Sequence, residues 1–252
     1  MGGLFFCTLV AALHTTTGRI GDFWGSNIHW THENAVGEAA MYAKAFKVAR
    51  MDMTWESIER SVGVYDFTPY DELLSTMRAH AIRPYWILDY GNSLYPPSAG
   101  SSKSCNTVSC ITAFGKFAAA AAEHFHGNDI IWETVNEPNG MGGDNATDLT
   151  ALALAAAPGF AAFHETFVGP TCAGMDFPYM EKAFAAGILH AYTNVSVHPY
   201  RAGPPESVLE DWATLASLIS KYSPASPKTM IDGEWGEFSA PARLHRSGLY
   251  GH

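Results

Sequence analysis

Short runs rich in β-branched and aromatic residues alternate along this chain with longer stretches of helical periodicity. The strand-like runs fall at 25–30 (GSNIHW), 47–55 (KVARMDMTW), 82–90 (IRPYWILDY), 129–135 (DIIWETV), 166–170 (TFVGP), 194–200 (NVSVHPY) and 228–234 (KTMIDGE). Helical patterns occupy 33–45, 68–80, 111–126, 146–157, 178–191 and 206–222. In the second of these, Leu73, Leu74 and Met77 recur at helical spacing. Asn145 stands where the fourth helix needs an N-cap. Nearly continuous apolar strands, each followed by a helix, predict a parallel sheet covered by helices. Seven such units in 252 residues, without a Gly-rich phosphate loop, favour an α/β fold of the (β/α)8 TIM-barrel type over a doubly wound sheet. No repeat or low-complexity linker interrupts the pattern, so one domain is expected.

Composition agrees with a large core: 47% of residues are apolar and 16% charged. The net charge of −10 and the absence of a basic stripe speak against nucleic acid and against anionic membrane surfaces as partners. Leu4 to Leu13 is an apolar run followed by small residues, of signal-peptide length and too short to span a bilayer. It divides the chain into a leader over 1–18 and a barrel domain over 19–252, and it implies secretion. No Lys or Arg precedes it, and the competing reading is a buried strand of the fold. Cys7 lies in that run. Cys105 and Cys110 bracket a short Ser-rich loop, either as a small disulfide ring or as two free thiols. Cys172 sits in an apolar run, as a buried thiol would. Nothing has zinc-ligand spacing, and the sequence calls for neither a metal nor a cofactor. The sequon Asn145-Ala-Thr precedes a helix and suits glycosylation; Asn194-Val-Ser opens a strand and suits it poorly.

The chemistry is concentrated at strand ends. His29-Trp30, Asp52 to Trp55, Asp89-Tyr90, Asn136-Glu137, His198 to Tyr200 and Glu234-Trp235 all fall at C-terminal ends of strand-like runs. In a barrel these converge on one face, where active sites lie. Glu137 ends the fourth run and Glu234 the seventh, and strands four and seven face each other across the mouth. Two carboxyls flanking one bond are what glycoside hydrolysis needs: one protonates the leaving oxygen, the other attacks or activates water. The plainer reading is a pair of solvated loop acids. Glu133 shares the face of Glu137 by strand alternation but lies deeper, so it is assigned to a polar network inside the barrel.

NEP after a buried strand, with a second Glu about a hundred residues on in GEWG, resembles the retaining glycoside hydrolases of clan A, with families 39 and 5 as the nearest types. FWGSNIHW, VARMDMTWESIERSVGVYDFTPYDELL, RPYWILDYGN, FVGPTCAGMDFPYMEKAF and VSVHPYR are similar to that clan's other units, from about residue 22 to 239. The resemblance implies hydrolysis of a β-linked glycoside or polysaccharide by double displacement. Glu137 would be the acid/base, with a raised pKa, and Glu234 the ionised nucleophile. Arg50 would sit beside the nucleophile, and Asn136 would bind the sugar 2-hydroxyl. Tyr200 would hydrogen-bond the nucleophile, and His198 would reach a sugar hydroxyl. Trp235 would stack on the sugar, with His29 and Asn92 adding hydroxyl contacts. Two departures stand out. Val135 occupies the place of the clan's usual Trp, and after GEWGEFS only PARLHRSGLYGH remains, so no eighth βα unit is readable. An uncovered barrel edge would invite an oligomer. The alternative function is an inactive, truncated carbohydrate-binding relic. A metal-dependent barrel hydrolase is disfavoured, because the eleven His are scattered.

Overall fold

The computed structural model describes residues 23–140 and 145–235. The leader expectation over 1–18, Cys7 and the stretch after Trp235 lie outside the described residues. Seven strands run β1 (Gly25–Asn27), β2 (Val48–Thr54), β3 (Arg83–Asp89), β4 (Ile131–Glu133), β5 (Thr166–Ala173), β6 (Asn194–His198) and β7 (Thr229–Asp232). The helices are α1 (His32–Tyr42), α2 (Trp55–Ile58), α3 (Thr68–Ala79), α4 (Val108–Phe125), α5 (Ala146–Ala162), α6 (Phe177–Ala185) and α7 (Leu209–Tyr222). All strand pairs are parallel, and the order in the sheet is the order in the chain. The βα alternation read from the sequence is therefore the architecture: an incomplete (β/α)8-type barrel with seven strands among the described residues.

The two faces of the sheet have different tasks. Outward residues, such as Met53, Trp86, Leu88, Trp132, Phe167 and Val197, pack with the helices in the main core. The inner cluster is small: Val48, Tyr85, Ile131 and Val168, with Ile231 against it. Above that floor the inward positions are polar. Curling of the sheet is visible in contacts between distant strands. Tyr85 of β3 meets Ser196 of β6 at 3.1 Å, and Arg50 of β2 meets Glu234 beyond β7 at 2.8 Å. Gly233 makes that approach sterically feasible, since a Cβ there would lie 2.5 Å from Ser196 Oγ and 3.2 Å from the Tyr85 hydroxyl.

Helix starts follow the side-chain chemistry. Thr31, Thr107 and Asn145 each accept backbone N–H groups at the N-termini of α1, α4 and α5. Cys105 and Cys110 form a disulfide at the start of α4, which resolves the open alternative in favour of the ring. Cys172 is buried and free. Among the described residues, no helix is long and apolar enough to cross a membrane.

Candidate active site

The site is organised by a buried cation. Arg50 is 5% exposed and projects inward from β2. Its Nε and Nη2 grip both oxygens of Glu133 on β4. Its Nη1 donates to Glu234 Oε2 at 2.8 Å and to Asn27 Oδ1 at 3.3 Å. Its Nη2 also donates to Asn136 Oδ1 at 2.8 Å and reaches His198 Nε2 at 3.2 Å. Burial alone would lower the guanidinium pKa; the Glu133 carboxylate, together with Tyr85 and Glu234, outweighs it, and the net shift is upward. Glu133 is 0% exposed, so it belongs to the internal network assigned to it from strand alternation.

The Arg50 contact also assigns the His198 tautomer. A guanidinium only donates, so His198 Nε2 accepts and Nδ1 carries the hydrogen. That N–H donates to Glu137 Oε1 at 3.1 Å. The bond holds the Glu137 carboxyl below the ordinary glutamate value, against a smaller upward push from burial. The raised pKa implied for an acid/base is thus not what the free site has, because an imidazole donor stabilises the carboxylate. Glu137 itself stands at φ +45°, a left-handed conformation that costs a non-glycine residue of order 1–2 kcal/mol.

Glu234 is held on both oxygens. Tyr200 donates its hydroxyl to Oε1 at 2.9 Å, opposite Arg50 on Oε2. Burial and the neighbouring Glu234 push the phenol pKa up, so it remains a donor. One oxygen each of Glu137 and Glu234 and one ring nitrogen of His198 all lie within 4.8 Å of one another. The same trio has the donor types of a metal site, but Arg50 already places a cation against two of its members.

Two expected sugar contacts are corrected. His198 is 0% exposed and both its nitrogens are engaged, so it faces Glu137 and Arg50 and not a hydroxyl. Asn92 is 2% exposed, and its amide is spent on the Glu59 carbonyl and the Leu94 N–H. Loop closure, not recognition, uses it. His29 is exposed at the rim, 3.5 Å from Asp52. Trp235 is half-buried, and its indole N–H meets no acceptor among the described residues. Asn136 turns its Nδ2 towards the Tyr90 hydroxyl at 3.4 Å, and its backbone N–H goes to Asp89 Oδ1 at 2.8 Å. Asp89 and Tyr90 are therefore part of the constellation. Their signals in the sequence were their place at the end of a strand and inside the RPYWILDYGN segment, with no role attached to either.

No protein-family model matches the chain, and no curated protein matches it. Solved structures do. A family 39 glycoside hydrolase from Bacteroides cellulosilyticus WH2 superposes with a TM-score of 0.67 at 20% identity, covering 83% of this chain and 47% of that one. A GH39 β-xylosidase from Caulobacter crescentus gives 0.65 at 17%, covering 89% and 56%. XacCel5A, solved with cellopentaose, gives 0.62 at 16%, covering 87% and 80%. The fold is that of barrel glycoside hydrolases. The chain spans about half the length of the family 39 structures it matches.

Proposed function

We propose that this chain hydrolyses O-glycosidic bonds in a β-linked glycoside or polysaccharide with retention, Glu137 acting as acid/base and Glu234 as nucleophile. The observation that carries the reading is the pair itself. A carboxylate oxygen of Glu137 and one of Glu234 lie within 4.8 Å, at the ends of β4 and β7. Retaining enzymes keep their carboxyls about 5–5.5 Å apart, whereas inversion needs roughly 6.5–9.5 Å to admit water. Sub-25% structural neighbours support the fold of such an enzyme; the residue geometry supports the chemistry.

In the first step Glu234 attacks the anomeric carbon while Glu137 gives its proton to the leaving oxygen. In the second, Glu137 takes a proton from water, which displaces the Glu234 carboxylate from the sugar. Arg50 and Tyr200 aim the Glu234 carboxylate by holding one oxygen each. Asn136, anchored through Oδ1 to Arg50, keeps Nδ2 for the sugar 2-hydroxyl, a contact that strengthens in the transition state. Trp235 offers an apolar ring for stacking. The Cys105–Cys110 bridge supports action in an oxidising, extracellular setting.

The second reading, a carbohydrate-binding protein without turnover, draws on β7, where Thr229 and Asp232 are exposed. Intact-mass spectrometry separates the two. Incubation with 2-deoxy-2-fluoro β-xylosides and β-glucosides carrying good leaving groups should add one glycosyl mass, and Glu234→Ala should abolish the adduct. Cooperatively folded protein that takes up no label from any sugar would count against turnover and favour the binding reading instead.

A further inference from the structure

Two acids outside the Glu137–Glu234 pair face each other beneath Asn136. Asp52 lies in β2 and Asp89 ends β3. The β2–β3 register sets Asp52 opposite Ile87 and Thr54 opposite Asp89, so the two acids are diagonal neighbours on one face of the sheet. Asp89 is 1% exposed. Its Oδ1 accepts the Asn136 backbone N–H at 2.8 Å. Its Oδ2 is buried and meets no donor. What stands at hydrogen-bonding range of Asp89 is the Asp52 carboxyl, itself an acceptor. Two carboxylates in such contact do not both ionise, and a single proton turns the clash into a bond.

We propose that Asp52 and Asp89 form one carboxyl pair holding a single proton, carried by Asp89, and that this bridge positions Asn136 and Glu137 at the end of β4. The catalytic consequence rests on the glycosidase reading; the bridge itself does not. A proton on Asp89 removes a buried charge, gives Oδ2 a partner, and leaves Oδ1 to the Asn136 N–H. Burial, joined by the charges of Asp52 and Glu133, pushes the Asp89 carboxyl well above its ordinary value. The remaining titratable neighbours fit. Glu133 is clamped by Arg50. Burial pushes the phenols of Tyr70 of α3 and of Tyr90 up, and the charges of Asp52 and Asp89 add to it. His29 approaches Asp52 from the solvent side. The target is a residue that needs holding, since Glu137 follows Asn136 directly and stands at positive φ.

The test uses Asp89→Asn and Asp89→Leu in the full chain. Asparagine reproduces the protonated acid: its Nδ2 donates to Asp52 and its Oδ1 still accepts from Asn136. A carboxyl whose folded pKa is raised stabilises the fold fully below its unfolded value and loses that contribution as pH rises through the folded value. Wild-type Tm should therefore decline as pH rises from the ordinary carboxylate range through the raised Asp89 value, and Asp89→Asn should lose that decline and melt above wild type at the upper end of that window. Asp89→Leu removes the acceptor. Hydrogen exchange at the Asn136 amide should accelerate, and kcat on an aryl β-glycoside should fall about tenfold or more with KM little changed, both restored in Asp89→Asn. An Asp89→Asn protein less stable than wild type at every pH, with the slope retained, would overturn the shared proton. Unchanged exchange at Asn136 in Asp89→Leu would overturn the positioning role. If Asp89→Leu does not fold, the Asp89→Asn melting series decides. Melting and exchange need no turnover, so an inactive wild type would sink the glycosidase reading and leave this one to its own measurements.

Discussion

Arg50 has five N–H donors and six acceptors around it: two oxygens of Glu133 and one atom each of Asn27, Asn136, Glu234 and His198. Lysine would keep the charge but not the fork. We expect Arg50→Lys to lower kcat by about a hundredfold and stability by roughly 2–4 kcal/mol, since several charge-assisted bonds are lost at once. Steady-state kinetics and urea unfolding check the two numbers, and a variant with wild-type kcat would remove Arg50 from the site. His198 sets a pH dependence with a definite sign. Its N–H holds Glu137 low, and the proposed glycosylation step would need Glu137 protonated, so on that mechanism the alkaline limb of kcat/KM should lie on the acid side for the wild type. His198→Ala removes the donor, which raises the Glu137 pKa and should move that limb to higher pH. A limb that stays put belongs to another group. At this scale the sequence shows which residues are catalytic candidates but not who holds whom. Strand-end position locates Glu137, Asn136 and Glu234; only the curled sheet reveals that His198, 61 residues from Glu137, is its donor and not a sugar ligand.

Element by element, hydrophobic period was the reliable signal, and its failures have visible causes. The helix read at 146–157 continues as α5 to Ala162 through Pro158, which should have ended it. Packing against α4 carries it on: a Cβ at Gly159 would lie 2.6 Å from the Ala119 Cα, so the two helices touch backbone to backbone. β5 likewise runs to Ala173, past the expected end at 170, because a bulge between Pro170 and Cys172 re-registers it on β6. Local sequence records neither event, since both depend on a partner element. Gly159→Ala sets two effects against each other. Helix propensity favours alanine by about 1 kcal/mol, and overpacking against a fixed backbone costs about 1–3 kcal/mol. The clash is with Cα, which cannot swing aside, so a net loss of about 1 kcal/mol is expected in urea unfolding. A more stable Gly159→Ala would mean that α4 and α5 separate at little cost. The Cys105–Cys110 ring at the head of α4 is a smaller constraint, and replacing both with Ser should cost about 2 kcal/mol on loop-entropy grounds.

At the scale of the molecule, the βα alternation was legible because each strand is apolar and each is followed by a periodic helix. The convergence of strand ends followed from that topology alone. Closure is a different matter, because it depends on what lies beside β1 and β7. Among the described residues, each of these two strands has a partner on one side only. Their burial patterns agree: β1 and β7 are mostly exposed, while β3, with a neighbour on each side, is buried at six of its seven positions. Met230 on β7 is 37% exposed, and Phe23 and Trp24, just before β1, are 58% and 60% exposed. Unpaired N–H and C=O groups beside apolar side chains are a template for edge-to-edge pairing, and a charge on such an edge opposes it. We therefore expect the purified chain to self-associate with rising concentration in sedimentation velocity. Met230→Lys should weaken that association without lowering Tm, because Met230 is outside both the inner and the outer core clusters. Association that persists unchanged in Met230→Lys would place the contact elsewhere on the surface. A chain that stays monomeric across the whole range would mean that the edges are covered in solution, and the β7 side would then be the place to find the covering strand by hydrogen exchange.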